Sequence, residues 1–193
     1  MKICINVQSA ITQRAGVGRY TRSLVQRLGS TAGNDTLVLF YFDFKQKGIP
    51  VEALNAVHKA VHWCPGRVAQ LAWKTFHWPP FNYFAGKSDI YHFPNFILPP
   101  LTRGKSVVTI HDMSFIRFPE FAEERNKQYL SAEIRDTVAR ADAIITDSQF
   151  SADELETLLH VDPDKIFPIY PGIAKEFKDQ GQETVGPILH NMG

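Results

Sequence analysis

The 193-residue chain holds only two cysteines, Cys4 and Cys64, so neither a disulfide framework nor a Cys-x-x-Cys metal site can be built from it, and a reducing compartment is the expectation. It also lacks any window near the roughly 18 uninterrupted apolar residues that a membrane-spanning helix requires. The opening MKICINVQSA has one lysine before a short apolar alternation, too brief and too polar for a signal-peptide core. A cytoplasmic location is therefore expected. Glycine and proline number 12 each and 44% of residues are hydrophobic, which excludes collagen, low complexity and disorder. The length allows one domain with a substantial core.

Net charge is nearly absent, at 21 Lys+Arg against 20 Asp+Glu, but the balance hides an asymmetry. Residues 1–105 carry 13 cations and 4 carboxylates, and residues 106–193 carry 8 and 16. The basic half could steer phosphates or an anionic surface to one face, or the two halves could simply complement each other. No module that reads nucleic acid accompanies the basic residues, so no nucleic-acid partner is expected.

Strand-length apolar runs occur at Lys2–Val7, Leu37–Phe42, Lys59–Cys64, Asp89–Phe93, Ser106–Ile110, Ala143–Thr146 and Lys165–Ile169. Several are continuous rather than alternating, as in parallel strands covered on both faces. Between them lie helical patterns. Val17–Leu28 places Tyr20, Leu24 and Leu28 on one stripe with Arg19, Arg22 and Arg27 towards solvent, and Gly29 is expected to stop it. Arg67–Gly86 starts helical and must break at Pro79 and Pro80. Glu123–Arg140 reads as a long helix, and the next opens on Ser151, Ala152, Asp153 and Glu154, the pattern of a capping box. Strand alternating with helix throughout predicts an α/β fold with an open, mostly parallel Rossmann-like sheet and helices on both faces.

Several familiar motifs fail on inspection. Gly16 and Gly18 begin a dinucleotide fingerprint, but Thr21 stands at the third glycine position and the turn after Val7 is too long. Gly104, Lys105 and Ser106 imitate a P-loop end, yet Pro99 occupies the first glycine position. His58 and His62 have zinc-helix spacing, but Lys59 replaces the needed glutamate and no third ligand is evident. No Gly-x-Ser-x-Gly elbow presents a serine nucleophile.

In open α/β sheets ligands bind at the carboxyl ends of the strands. The residues expected there form a set of glycines, imidazoles, a carboxylate, an amide and hydroxyls. The segments GVGRYTRSL, VVTIHDMSFIRFPEF, ARADAIITDSQFSADEL and KIFPIYPGI, in this order and at these separations, resemble family 4 glycosyltransferases of the GT-B fold, from Met1 to about Phe177. The resemblance implies the N-terminal half of a GT-B fold and a retaining transferase. Such an enzyme moves a sugar from a nucleotide-diphosphate donor to a glycan or lipid-linked acceptor, usually in polysaccharide or cell-envelope assembly. No metal and no other cofactor is implied.

By the same resemblance, Gly16 and Gly18 match the loop that approaches the donor diphosphate, where absent side chains let amides and a helix start reach anionic oxygens. Arg19 and Tyr20 follow, placed to pair with phosphate and to pack or bond against sugar. His111 matches the histidine lining the sugar site and is the catalytic candidate, as an imidazole that donates to a hydroxyl or moves a proton. Asp112 beside it reads as a loop-capping carboxylate. Asn95 and Ser148 either touch a substrate or cap turns. Local structure is the competing reading for each of these residues.

Family members continue into a second domain that holds the nucleotide. Residues 1–178 are therefore expected to be the acceptor-side domain and residues 179–193 the linker or start of the next, with Ala174 departing from the family's usual Asp. The chain alone would then be inactive, self-associating or in need of a partner chain. A catalytically silent binding or partner module is the alternative. Trp73, Phe76, Trp78, Phe81, Tyr83 and Phe84, near Arg67 and Lys74, suit either peripheral contact with the inner face of a membrane or the core; spacing past Pro79 favours the core.

Overall fold

Continuous apolar strands need cover on both faces, and the fold supplies it. The computed structural model describes residues 1–14, 16–48, 51–118, 120 and 133–173. Seven strands, β1 (Lys2–Asn6), β2 (Thr36–Phe42), β3 (Ala56–Val61), β4 (Ile90–Phe93), β5 (Lys105–Ile110), β6 (Ala143–Thr146) and β7 (Ile166–Pro168), form one sheet in the order β3-β2-β1-β4-β5-β6-β7. Every pairing is parallel. The chain winds outward from β1 to one edge and returns to β4 to wind towards the other, so the strand order reverses between β1 and β4.

Alternate residues of one strand enter different cores. On β2, Leu37, Leu39 and Tyr41 join Ile5, Val7 and Val25 on one face. Val38 and Phe40 join Cys4, Phe81, Tyr91, Phe93 and Ile110 on the other. The second core also takes Trp73 and Phe84 from the helices α3 (Gly66–Phe76) and α4 (Phe81–Ala85). It is completed by Ile134 and Val138 of α6 (133–140) and by Leu155 of α7 (Gln149–Leu159). The sheet's apolar character is thus satisfied from two sides, as the sequence predicts.

Details depart from expectation for local reasons. Strand β3 starts and ends three residues before the predicted run, because it is an exposed edge whose burial gives little pattern to read. Helix α2 runs Val17–Thr31, through Gly29. A Cβ there would lie 2.5 Å from the Leu54 carbonyl oxygen, so Gly29 serves close packing rather than termination. The buried stripe of α2 is Gly18, Thr21, Val25 and Gly29, one position round from the predicted Tyr20, Leu24 and Leu28, since small residues let the helix lie close. Arg22 is not turned to solvent: its guanidinium donates to the Ala10, Gln13 and Arg14 carbonyls at the end of α1 (Gln8–Thr12). The break expected at Pro79 and Pro80 separates α3 from α4. The aromatic stretch divides, with Trp73, Phe81 and Phe84 in the core and Phe76, Trp78 and Tyr83 exposed. The predicted start of the helix at Glu123, Ala174 and the boundary at 178 and 179 lie outside the described residues.

Candidate functional site

The β5–β6 register aligns Ile110 with Thr146, so the next residue of each strand end, His111 and Asp147, emerge side by side. Their side chains meet: His111 Nδ1 lies 2.7 Å from Asp147 Oδ2. The other ring nitrogen, Nε2, lies 3.1 Å from the Pro94 carbonyl oxygen. With an acceptor at each nitrogen, the imidazole is arranged to carry both protons. Burial pulls its pKa down, but the hydrogen bond and charge of Asp147, helped by the Pro94 carbonyl and Asp112, outweigh burial and hold it above the ordinary 6.5. Both ring nitrogens of His111 are thus engaged at the carboxyl edge of the sheet, in surroundings that favour its protonated form.

Neighbouring elements brace this imidazole. Tyr20, from α2, sets its ring edge-on against His111 with centroids 4.9 Å apart, and Phe96 approaches at 5.7 Å. The Tyr20 hydroxyl faces inward, 3.5 Å from Thr109 Oγ1, and burial raises its pKa. Ser151 Oγ donates to the His111 carbonyl at 2.9 Å. Arg117, in α5 (Ser114–Arg117), donates at 3.0 Å to Glu154, whose side chain is buried in α7. With the His111–Asp147 bond, these contacts lace the segment after β5 to the loop after β6 and to α7.

This lacing corrects one expectation. Helix α7 is capped at Ser148, whose Oγ accepts from the Ser151 amide at 3.1 Å, a turn before the predicted capping box at Ser151. Ser151 and Glu154 are free to serve the loop contacts because the cap lies upstream. Ser148, a candidate for substrate contact, is occupied as that cap. Asp112 accepts from the Ser114 amide at 2.9 Å and from its hydroxyl at 2.5 Å, the turn-capping role read from the sequence.

The two loop glycines separate. Gly16 is the N-cap of α2 at φ 55, with nothing within 4 Å of where a Cβ would stand. Gly18 is buried, and a Cβ there would lie 2.2 Å from the Gln13 carbonyl oxygen, so its missing side chain serves the α1–α2 contact. No side chain caps the start of α2, and the described residues supply no carboxylate in its first turn. Gly16 and these amides thus remain the part of the loop open to an anion. Arg19 is exposed on the same turn.

A cavity of about 450 Å³ opens where the strand order reverses, beyond Asn6 of β1 and Phe93 of β4. Asn95 lines it and is exposed there. So do Gln70, Trp73, Lys74 and His77 from α3. Its proline-rich wall is held by Arg140, which donates to the Leu98 and Pro99 carbonyls, and by Thr137, which accepts from the Leu98 amide. Phe96 separates this cavity from His111, touching both. Asp147 and the cavity's α3 wall escaped the sequence reading. Aligning the ends of the two strands, TIHD with ITDS, would have exposed the first; the second needed the tertiary structure.

The family model described as Glycosyltransferase Family 4 matches residues 14–177. An O-antigen chain mannosyltransferase B from Escherichia coli is 28% identical over 203 residues, an alignment that covers 98% of this chain and 52% of that protein. The chain therefore spans about half the length of this curated relative. Among solved structures, a sucrose-phosphate synthase from Thermosynechococcus elongatus superposes with a TM-score of 0.61 at 11% identity, over 98% of this chain and 52% of that one. The wall teichoic acid polymerase TagF gives 0.50 at 12% identity, over 88% and 38%. At such identities these two likenesses concern the fold alone.

Proposed function

The chain belongs to glycosyltransferase family 4, and from that premise we propose that it is the acceptor-side half of a retaining enzyme. The enzyme moves a sugar from a nucleotide-diphosphate donor to a glycan or lipid-linked acceptor in polysaccharide or cell-envelope assembly. The observation that carries the reading is the Asp147-bound His111 imidazole at the carboxyl edge of the sheet, beside α2 and its uncapped start. When the bond between sugar and diphosphate breaks, negative charge grows on the departing phosphate oxygens. Amides at α2 and a fixed imidazolium are groups that stabilise such charge without reorganising. The acceptor would enter the neighbouring cavity, where Asn95 offers an amide to a hydroxyl.

The name of the Escherichia coli relative puts mannosyl transfer to a growing O-antigen-type glycan first among the reactions to test. In this reading the diphosphate is met by amides and cations, so no divalent ion is required. The experiment joins this chain to its second domain and supplies nucleoside-diphosphate mannose and other nucleotide sugars with a glycan acceptor. Transfer with retained anomeric configuration, undiminished by EDTA, is expected. Inversion, loss on chelation, or turnover unchanged in His111→Ala would each overturn the corresponding part of the proposal.

The alternative reading is a half-fold that recognises sugar or a partner and has no chemistry of its own. Glycan binding without any turnover in the two-domain form would select it.

A further inference from the structure

Helix α1 ends with carbonyls against α2. The Gln13 oxygen lies at the first turn of α2, where a Cβ on Gly18 would stand 2.2 Å from it. One turn further along that face, Arg22 donates from Nη1 to the Ala10 and Gln13 carbonyls, at 2.6 and 2.7 Å, and from Nη2 to the Arg14 carbonyl. Among the described residues no carboxylate pairs with this guanidinium, so its charge is met by main-chain oxygens. A separate buried contact, Ser9 Oγ to Thr21 Oγ1 at 2.9 Å, joins α1 to the same side of α2. These carbonyls matter because of what lies beside them. A helix end carries partial negative charge, and the end of α1 abuts the start of α2 with its uncapped amides. Left bare, the Ala10, Gln13 and Arg14 oxygens would lose their partners and oppose an anion at Gly16.

We propose that Arg22 is a positioning residue for the nucleotide sugar, a clamp that neutralises the end of α1 and fixes Gly16 and the start of α2 against it; this role rests on the reading of that start as the diphosphate contact. Arg22 acts through the Gln13 and Arg14 carbonyls and does not itself touch the sugar nucleotide. Its planar fork of donors suits three oxygens at once, which a lysine ammonium, a single charged point, matches less well. Arg27 supplies the comparison. It stands on the same helix, is exposed, and carries the same charge without reaching α1.

Amide exchange and kinetics on Arg22→Met, Arg22→Lys and Arg27→Met test it. In the 193-residue chain, Arg22→Met should speed exchange at least about tenfold at Gln13 and Tyr20, whose amides donate to the Ser9 and Gly16 carbonyls, while amides of the central strands β4 and β5 keep their rates. With the second domain joined, the same variant should raise the KM for the nucleotide sugar about tenfold and leave kcat within about twofold, the pattern of lost uniform binding. Arg22→Lys should show about threefold of each effect, and Arg27→Met neither. Unchanged exchange in folded Arg22→Met overturns the clamp, whatever the enzyme does. Faster exchange with an unchanged KM overturns the positioning role while transfer itself stands. A KM raised equally by Arg27→Met overturns it too, since charge alone would then suffice. If Arg22→Met does not fold, Arg22→Lys decides, and wild-type values in both measurements overturn the proposal. No transfer by the two-domain wild type would overturn the diphosphate reading and this role with it, and exchange would still show whether Arg22 holds α1.

Discussion

His92 on β4 and His111 at the end of β5 have pKa values shifted in opposite directions for reasons visible in their surroundings. His92 is buried, with Nε2 2.9 Å from Thr109 Oγ1, and among the described residues no carboxylate bonds to it. Desolvation, with a smaller push from the charge of His111, lowers its pKa to about 4. It folds neutral, while the unfolded chain protonates it below about 6.5. The unfolded state therefore binds more protons as pH falls from about 6.5 to about 4, and stability declines over that window, by about 3 kcal/mol in total. His92→Gln, which keeps a partner for Thr109, should flatten that part of the pH–stability curve measured by urea unfolding. His111 has the reverse sign. Its raised pKa adds stability that is fully present below about 6.5 and is lost as pH rises through the folded value. Asp147→Asn keeps an acceptor and removes the charge, so the His111 ring should titrate at lower pH by NMR, and the alkaline limb of activity should move with it. An unchanged His111 titration would show that Asp147 does not set the charge state.

At the scale of elements, the packing of α1 against α2 depends on an absent side chain. A Cβ on Gly18 would press on the Gln13 and Ser9 carbonyls at 2.2 and 2.8 Å, both main-chain atoms that cannot swing aside. Gly18→Ala should cost about 2 kcal/mol or more, read as a lowered melting temperature. Gly16→Ala meets no neighbour and pays only for its positive φ, about 1 kcal/mol. If Gly16 faces the donor diphosphate, that variant should raise the donor KM in the two-domain enzyme beyond what its melting temperature explains. From sequence both positions read as one glycine loop; what separates them is α1, a five-residue helix with no periodicity long enough to read. The capping of α7 was obscured in a related way. Ser148 and Ser151 are equivalent as cap residues, and only the contact of Ser151 with the His111 carbonyl, 40 residues away, decides between them.

At the scale of the whole molecule, the strands were legible because a parallel sheet covered on both sides demands apolar runs, and β1, β2, β4, β5 and β6 answer that demand within about a residue. The β3 edge and the long-range pairs were not. Strand β3 carries a half-exposed pattern, and the Arg117–Glu154 and His111–Asp147 pairs join residues 37 and 36 apart whose adjacency follows from strand register. The same architecture explains why the described fold should not turn over by itself. Its candidate groups line one edge of one sheet: the His111 imidazole, amides at α2 and a cavity beside β4. Transfer requires donor and acceptor to be held in a fixed mutual geometry, worth roughly 7–11 kcal/mol of barrier in favourable cases. A surface that touches the donor from one side cannot fix it. The purified 193-residue chain should therefore give no detectable transfer from any nucleotide sugar, while addition or fusion of a second domain should restore it. Measured with a radiolabelled donor, turnover by the chain alone that His111→Ala abolishes would show that one sheet edge suffices and that the two-sided cleft is unnecessary.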